Sequence, residues 1–278
     1  MLVDMKDLLL QAKEGHYAIP SPDYWDSMSA RAFVKAAEKV DKPVILSFAQ
    51  IHEEHLSLEE AAFIGKFYAE KASVPVALHL DHGTDMDFIK RAIELGFTSV
   101  MIDASSKTFE ENVRITREVV EYAHAHGVSV EAELGHVGAE DENGPHALSH
   151  NVYTDPQEAV RFVDLTGVDA LAVSIGTSHG AYKNGTPHIN FEILKKIREA
   201  VDVPLVLHGG SGSGDDNLNR CAREGICKVN IYTDYILAAR NEVVKDPGKD
   251  WMKIMEQAEE TITGLAMRHY EVLNCVRK

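Results

Sequence analysis

The chain is poor in cysteine, in positive charge and in long apolar runs, and each shortage excludes something. Its three cysteines, Cys221, Cys227 and Cys275, cannot all pair internally, and none forms a CxxC. A disulfide scaffold is excluded and a reducing compartment is expected. Lysine and arginine number 28 against 44 aspartates and glutamates, a net charge of −16. A field of that sign repels phosphate backbones and anionic lipid, so neither nucleic acid nor a membrane is expected as the main partner. A small anionic substrate is still allowed, because a local cluster of donors outweighs the distant field. No stretch approaches the roughly 18 apolar residues that a spanning helix needs. The N-terminal MLVDMKDLLLQAKEG carries Asp4 and Asp7 in an amphipathic pattern, unlike a secretory signal. A cytoplasmic location is the resulting expectation. Low-complexity tracts and evident linkers are also missing, and 278 residues at 45% hydrophobic content is ordinary globular composition.

What is present is a rhythm. Short apolar runs, rich in Val, Ile and Leu, alternate with longer amphipathic ones. The short runs are YAIP (17–20), PVILSFA (43–49), PVALHLDHG (75–83), SVMIDAS (99–105), SVEAELG (129–135), ALAVSIG (170–176), PLVLHGG (204–210) and KVNIYTD (228–234). They read as parallel strands covered on both faces. Between them the spacing predicts helices over 28–39, 57–71, 85–95, 109–126, 155–166, 191–200 and 215–224. Ser57 with Glu60 three residues on has the form of a capping box. Asp85 and the Thr154-Asp155-Pro156 run mark further helix starts, and Gly96, Gly127, Gly167 and Gly225 mark ends. Eight strand–helix pairs are the arithmetic of a (β/α)8 TIM barrel. A Rossmann fold needs fewer strands and a GxGxxG after the first, which is absent. The expected organisation is one barrel domain over 1–278 with a C-terminal helical extension. In that extension Trp251, Ile254, Met255, Ala258, Ile262 and Leu265 recur at helical spacing, as an eighth helix or an extra one. The polar stretch 136–153 after the fifth strand reads as a loop and is the candidate mobile segment.

In a barrel of this kind the chemistry sits at the C-terminal ends of the strands. Those ends carry His82, His179 and His208, each beside a glycine or one residue from it. Three neutral imidazoles with an open fourth position suit a catalytic zinc. With 14 histidines in the chain, some fall near strand ends by chance, so the argument rests on all three converging. Asp81 adjoins His82 and is expected, by strand alternation, to point differently; a carboxylate there can act as acid or base. His79 is either a hydrogen-bonding neighbour of the site or a satisfied core histidine. Glu131 and Glu133 share a face of the fifth strand, as partners of a metal ligand, substrate contacts, or groups at a solvated edge. Gly209, Gly210, Ser211 and Gly212, together with Thr233 and Asp234 opening the next helix, form a candidate anion clamp. A metal, a phosphate clamp and a free carboxylate fit a phosphorylated ketose whose carbonyl the metal polarises, through an enediolate. Aldol cleavage, isomerisation and epimerisation all pass through related species, so residue types leave them open; a non-catalytic sugar-phosphate-binding barrel is a third reading. Lys228, read as beginning the eighth strand, is not placed for a Schiff base, while Lys183 is a nearby loop candidate.

The motifs HLDHG (79–83), VMIDAS (100–105), EAELGHVG (131–138), SIGTSHGAYK (174–183), LHGGSG (207–212) and KVNIYTD (228–234) stand in an order that resembles the class II, zinc-dependent ketose-bisphosphate aldolases, the fructose- and tagatose-bisphosphate group. The resemblance implies a lyase releasing dihydroxyacetone phosphate and an aldehyde. It implies His82, His179 and His208 as zinc ligands, with Glu133 near enough to approach the ion. It implies Asp81 as the acid/base at the C4 hydroxyl. Gly180, Gly209, Gly210, Ser211, Asn230, Ile231, Tyr232 and Thr233 match the positions that hold the dihydroxyacetone-phosphate end. A loop carboxylate, Glu140 or Asp141, matches the proton-transfer group. Also implied are a homodimer or homotetramer and, in some members, a monovalent cation (Na+ or K+) near the phosphate. The chain departs from the family where the first strand ends in AIPSPDYWD, with Asp23 for an asparagine, in the loop Gly138-Ala139-Glu140-Asp141, and in SFAQIHEEH (47–55). These segments border the aldehyde half of the site, so the aldehyde need not be glyceraldehyde 3-phosphate, and fructose bisphosphate, tagatose bisphosphate and a modified or deoxy analogue all stay open as the ketose.

Overall fold

The computed structural model describes residues 1–135, 153–180, 182, 185–245 and 248–276. Eight parallel strands alternate with helices: α1 (Met5–Gly15), β1 (Ile19–Pro22), α2 (Ser27–Val40), β2 (Val44–Ala49), α3 (Leu58–Lys71), β3 (Val76–Gly83), α4 (Met86–Leu95), β4 (Ser99–Ile102), α5 (Phe109–Ala125), β5 (Ser129–Leu134), α6 (Pro156–Thr166), β6 (Ala170–Val173), α7 (Phe191–Ala200), β7 (Leu205–Leu207), α8 (Asp215–Glu224), β8 (Ile226–Ile231), α9 (Thr233–Lys245) and α10 (Trp251–Val272). A 3-10 turn, Gln50–His52, follows β2. The sheet order β1-β8-β7-β6-β5-β4-β3-β2 wraps into the expected (β/α)8 TIM barrel.

The seam between β1 and β2 is thin, and proline explains it. Tyr24 N donates to Ser47 O at 2.9 Å, and one bridge joins Asp23 to Ser47. Backbone groups of alternate residues point to the same side of a strand. Pro20 and Pro22 therefore share the parity of Tyr24, and the donors that would face β2 are missing.

Local signals operate as the sequence suggests. Ser57 and Glu60 cap α3 reciprocally. Asp85 accepts from Phe88 N, Asp155 accepts from Gln157 and Glu158 N with Pro156 in the first turn, and Gly96 and Gly167 close their helices in left-handed conformation. Two strand positions need correction. β1 starts at Ile19, because the turn that closes α1 at His16 consumes the preceding residues. β8 starts at Ile226, directly after Gly225 ends α8, so Lys228 lies within the strand rather than at its start.

The barrel wall separates two apolar clusters. Outward residues such as Leu78, Leu80, Val100, Val130, Leu171 and Val229 pack under the helices. Inward residues Ile19, Ile45, Ala77, Ala170, Ala172 and Val206 meet Met5, Leu8, Leu9 and Ala12 of α1. The N-terminal amphipathic segment is thus a plug closing the bottom of the barrel, a role its sequence did not announce. α10 is an extra helix beyond α9. It lies against α2, with Thr263 Oγ1 donating to Ala32 O and Arg31 paired to Glu259; Ile254, Ala258 and Ile262 are buried and Trp251 is exposed.

Above the plug the interior turns polar, which is what makes a site possible there. Ser21 and Ser47 hydroxyls meet at 2.6 Å, and His79 Nδ1 lies 2.8 Å from Ser99 Oγ. Lys228 Nζ donates to Glu131 Oε2 at 2.9 Å, and both side chains are fully buried. Buried polar groups of this kind are tolerated only when satisfied by one another.

Candidate metal centre

His79 and Asp81 face the barrel axis by simple alternation along β3. The same alternation sends His82 outward, yet it points inward. Its backbone is left-handed (φ +46°), and the β3–β4 register shifts between Leu80 and Gly83. This bulge re-aims one side chain, so Asp81 and His82 enter the site together. Such a conformation in a residue with a Cβ is strained and is sustained only by its surroundings. Here the anchor is Asp103, at the end of β4, whose Oδ2 accepts from His82 Nδ1 at 2.9 Å. Asp103 lies in the VMIDAS motif, where nothing local marks it as a partner of His82.

His208 follows β7 and is fully buried. Its Nε2 donates to Glu131 Oε1 at 2.8 Å, which turns Nδ1 toward His82 Nε2, 2.9 Å away. His179, beyond β6, completes the set. The rings of His82 and His179 lie 4.9 Å apart, those of His82 and His208 4.7 Å. One nitrogen from each of the three falls within 4.8 Å of the others. The carboxylate of Glu133 lies within the same limit of His82 and Asp103. Glu131 is correspondingly not at a solvated edge: it holds His208 on one oxygen and Lys228 on the other. His79 sits beneath, its Nε2 3.4 Å from Lys228 Nζ. The lysine can only donate, so the His79 proton lies on Nδ1 toward Ser99. Burial, then the Lys228 charge, pushes the His79 imidazole well below its usual range, which keeps it neutral.

The electrostatics suit a cation. Burial disfavours charge on His82, but Asp81 and Asp103 outweigh it and hold its imidazole up at about 10. Burial likewise raises Asp81, while His82 and His208 outweigh it and bring its carboxyl down to about 2. His208, buried and facing His82, is pushed well below its ordinary range. The Asp81 and Asp103 carboxylates thus favour a positive charge at His82, where a bound metal ion would take the place of the proton. Three imidazole nitrogens, two of them oriented by carboxylates on their far sides, fit a zinc ion and its usual outer partners.

Around this centre opens a cavity of about 900 Å³, lined by residues that include Asp81, His82, His179, Gly180, Gly209, Gly210, Ser211, Asn230, Ile231, Tyr232 and Thr233. Asn230 Nδ2 donates to Asp81 Oδ1 at 2.8 Å, which aims that carboxylate. Gly209 and Gly210 permit close approach. A Cβ on Gly209 would overlap the Ser178 carbonyl, and one on Gly210 would lie 2.8 Å from Asn230 O. Not every N–H of the anion clamp points at the cavity. Gly210 N donates to Asn230 O, and Gly212 N to Asp234 Oδ2. Ser211 Oγ accepts from Tyr232 N and Asp234 N, 3.2 Å each, tying the β7 loop to the start of α9. Tyr232 lies tilted against His52, ring centroids 4.8 Å apart, and meets Trp25 edge-on, forming a wall. Asp23 is buried beside the cavity, its carboxyl raised well above the usual range by burial and then by Asp81. Glu140, Asp141 and Lys183 lie outside the described residues.

Comparison with known proteins gives a consistent answer. The family described as fructose-bisphosphate aldolase class-II matches residues 3–278. The chain is 40% identical over 267 residues to the uncharacterized protein YdjI of Escherichia coli strain K12, covering 96% of this chain and 95% of that protein. The crystal structure of the YdjI aldolase superposes with a TM-score of 0.90 at 36% identity, over 99% of this chain and 98% of that one. A putative fructose-1,6-biphosphate aldolase from Coccidioides immitis follows at a TM-score of 0.89 and 28% identity, over 97% and 96% of the two chains. Fructose-bisphosphate aldolase from Campylobacter jejuni, at 24% identity and a TM-score of 0.83 over 99% and 96%, adds the fold alone.

Proposed function

Because the chain belongs to the class II fructose-bisphosphate aldolase family, we propose that it is a zinc-dependent aldolase that reversibly cleaves a phosphorylated ketose into dihydroxyacetone phosphate and an aldehyde. The observation that carries the proposal is Asp81 on the cavity wall with His82 and His179, whose nitrogens lie within 4.8 Å of one another and of a nitrogen of the buried His208. Those three histidines would hold the ion, with Glu133 close by. When bound, zinc supplies Lewis acidity toward the ketose carbonyl.

The chain's own groups do the rest. The clamp of Gly209, Gly210, Ser211 and Thr233, with Gly180, holds the phosphate, and the N-terminal end of α9 favours its negative charge. The Ile231 and Tyr232 backbone carries that clamp. Asn230 steers Asp81 through the 2.8 Å hydrogen bond. Asp81, ionised at neutral pH, accepts the proton of the C4 hydroxyl. The C3–C4 bond then breaks, the aldehyde departs, and the bonding pair moves toward the C2 carbonyl. A proton delivered to C3 completes dihydroxyacetone phosphate; Glu140 or Asp141 is the proposed donor. A monovalent cation (Na+ or K+) near the phosphate, a homodimer or homotetramer, and a cytoplasmic setting are proposed as parts of the same reading.

The test is an Asp81→Asn enzyme assayed for zinc content and for release of dihydroxyacetone phosphate. Zinc stays stoichiometric while turnover falls by about 10²–10⁴. Wild-type turnover in that variant removes Asp81 from the role. Interconversion of sugar phosphates with no three-carbon product replaces the lyase by an isomerase.

A further inference from the structure

The cavity has a second half, over the ends of β1 and β2, whose chemistry differs from the clamp. It is lined by Asp23, Gln50, His52, Glu53 and Glu54. Among the described residues no lysine or arginine lines the cavity, while Asp23, Glu53, Glu54, Asp81 and Asp103 all do. The cations nearby are already committed. Arg91 at this rim pairs with Glu59 at 2.5 Å and with Glu53 at 3.7 Å, and Lys228 below is held by Glu131. Neutral donors are used as well: Gln50 Nε2 donates to Asp85, and its Oε1 takes up Thr84 N. A phosphate here would meet carboxylates and find no lysine or arginine fork among the described lining residues to receive it.

The same wall has unmet needs of another kind. Asp23, 6% exposed, has its Oδ1 buried with no hydrogen-bond partner among the described residues. His52 Nδ1 and Asn230 Oδ1 are in the same condition. Buried polar atoms of this sort are normally satisfied, and a hydroxyl, which both donates and accepts, can satisfy any of the three. Resting on the aldolase reading above, we infer that the aldehyde half takes an uncharged polyhydroxylated chain, so the preferred substrate is a ketose 1-phosphate with no second phosphate at its far end. Asp23 and His52 are its specificity-determining residues, and Glu53 and Glu54 exclude the phosphorylated alternative.

The experiment is condensation by the zinc-loaded enzyme of dihydroxyacetone phosphate with glyceraldehyde, a four-carbon aldose, unhydroxylated propanal and glyceraldehyde 3-phosphate. In parallel, exchange of the C3 proton of dihydroxyacetone phosphate with deuterated water is followed without any aldehyde. The hydroxylated neutral aldehydes exceed glyceraldehyde 3-phosphate in kcat/KM by at least about tenfold, equivalent to about 1.4 kcal/mol at the transition state. Asp23→Ala lowers kcat/KM for the four-carbon aldose about tenfold or more but lowers that for propanal far less, a split that a merely structural role does not produce. Glu54→Lys raises the relative rate with glyceraldehyde 3-phosphate. Proton exchange together with equal or better use of glyceraldehyde 3-phosphate, or a blank panel, overturns the inference and leaves the aldolase reading intact. Absence of both exchange and condensation overturns the two readings together.

Discussion

Lys228→Met isolates the buried charge pair under the metal centre. Lys228 and Glu131 are both fully buried and 2.9 Å apart, and the second Glu131 oxygen holds His208. Methionine is close in length to the lysine stem, so the void is small. What remains is a carboxylate at 0% exposure whose cationic partner is gone. Removing one member of a buried pair costs about 3–5 kcal/mol. With an unfolding entropy of about 2.1 cal/mol/K per residue, a chain of 278 residues loses roughly 5–9 °C in Tm. The assay is thermal unfolding of metal-free and zinc-loaded protein, with bound zinc measured in parallel. The double change Glu131→Gln, Lys228→Met removes both charges together. It recovers most of the lost Tm, since a neutral pair carries little of the desolvation penalty. Zinc affinity in the double variant stays reduced, by about 10–100-fold, because His208 loses its carboxylate. A Lys228→Met protein that melts like the wild type, or a double variant less stable than the single one, refutes the reasoning.

Three further outcomes are expected. Asp103→Asn, which weakens the hold on the strained His82, lowers zinc affinity about 10–100-fold, read by competition with a chelator. Gly209→Ala forces a Cβ onto a residue at φ +66° and into the Ser178 carbonyl. It destabilises by about 2 kcal/mol or more, and the KM for dihydroxyacetone phosphate rises in the condensation assay. Asp169 accepts from Lys6, His124 and Val130 N, and these bonds outweigh burial to hold its carboxyl below the usual 3.8. A depressed carboxyl contributes stability above its unfolded value and loses it as pH falls through the folded one. The stability gap between wild type and Asp169→Asn, measured in denaturant, is therefore full near neutrality and shrinks below about pH 4; a gap that widens in acid contradicts this.

Chain order and composition sufficed for the barrel. Strand-length Val/Ile/Leu runs and helix-length amphipathic runs report burial on two faces or one, and that is local information. The caps at Ser57, Asp85 and Asp155 were legible for the same reason, since a cap is a contact within four residues. The three histidines and Asp81 were legible because a closed barrel brings strand ends to one axis. Other features depended on partners far away in the chain. That Lys228 is an interior cation, and not the start of a strand, is decided by Glu131, 97 residues distant. Asp103 reads as an ordinary strand-end aspartate until the β3 bulge turns His82 onto it. That bulge also defeats alternation, which alone sends Asp81 and His82 to opposite faces. Likewise nothing in the amphipathicity of residues 5–15 says that their apolar face fills the bottom of a barrel. Periodicity states that a face is buried, while its partner is chosen only when the sheet closes and long-range sterics and charge pairing select one arrangement.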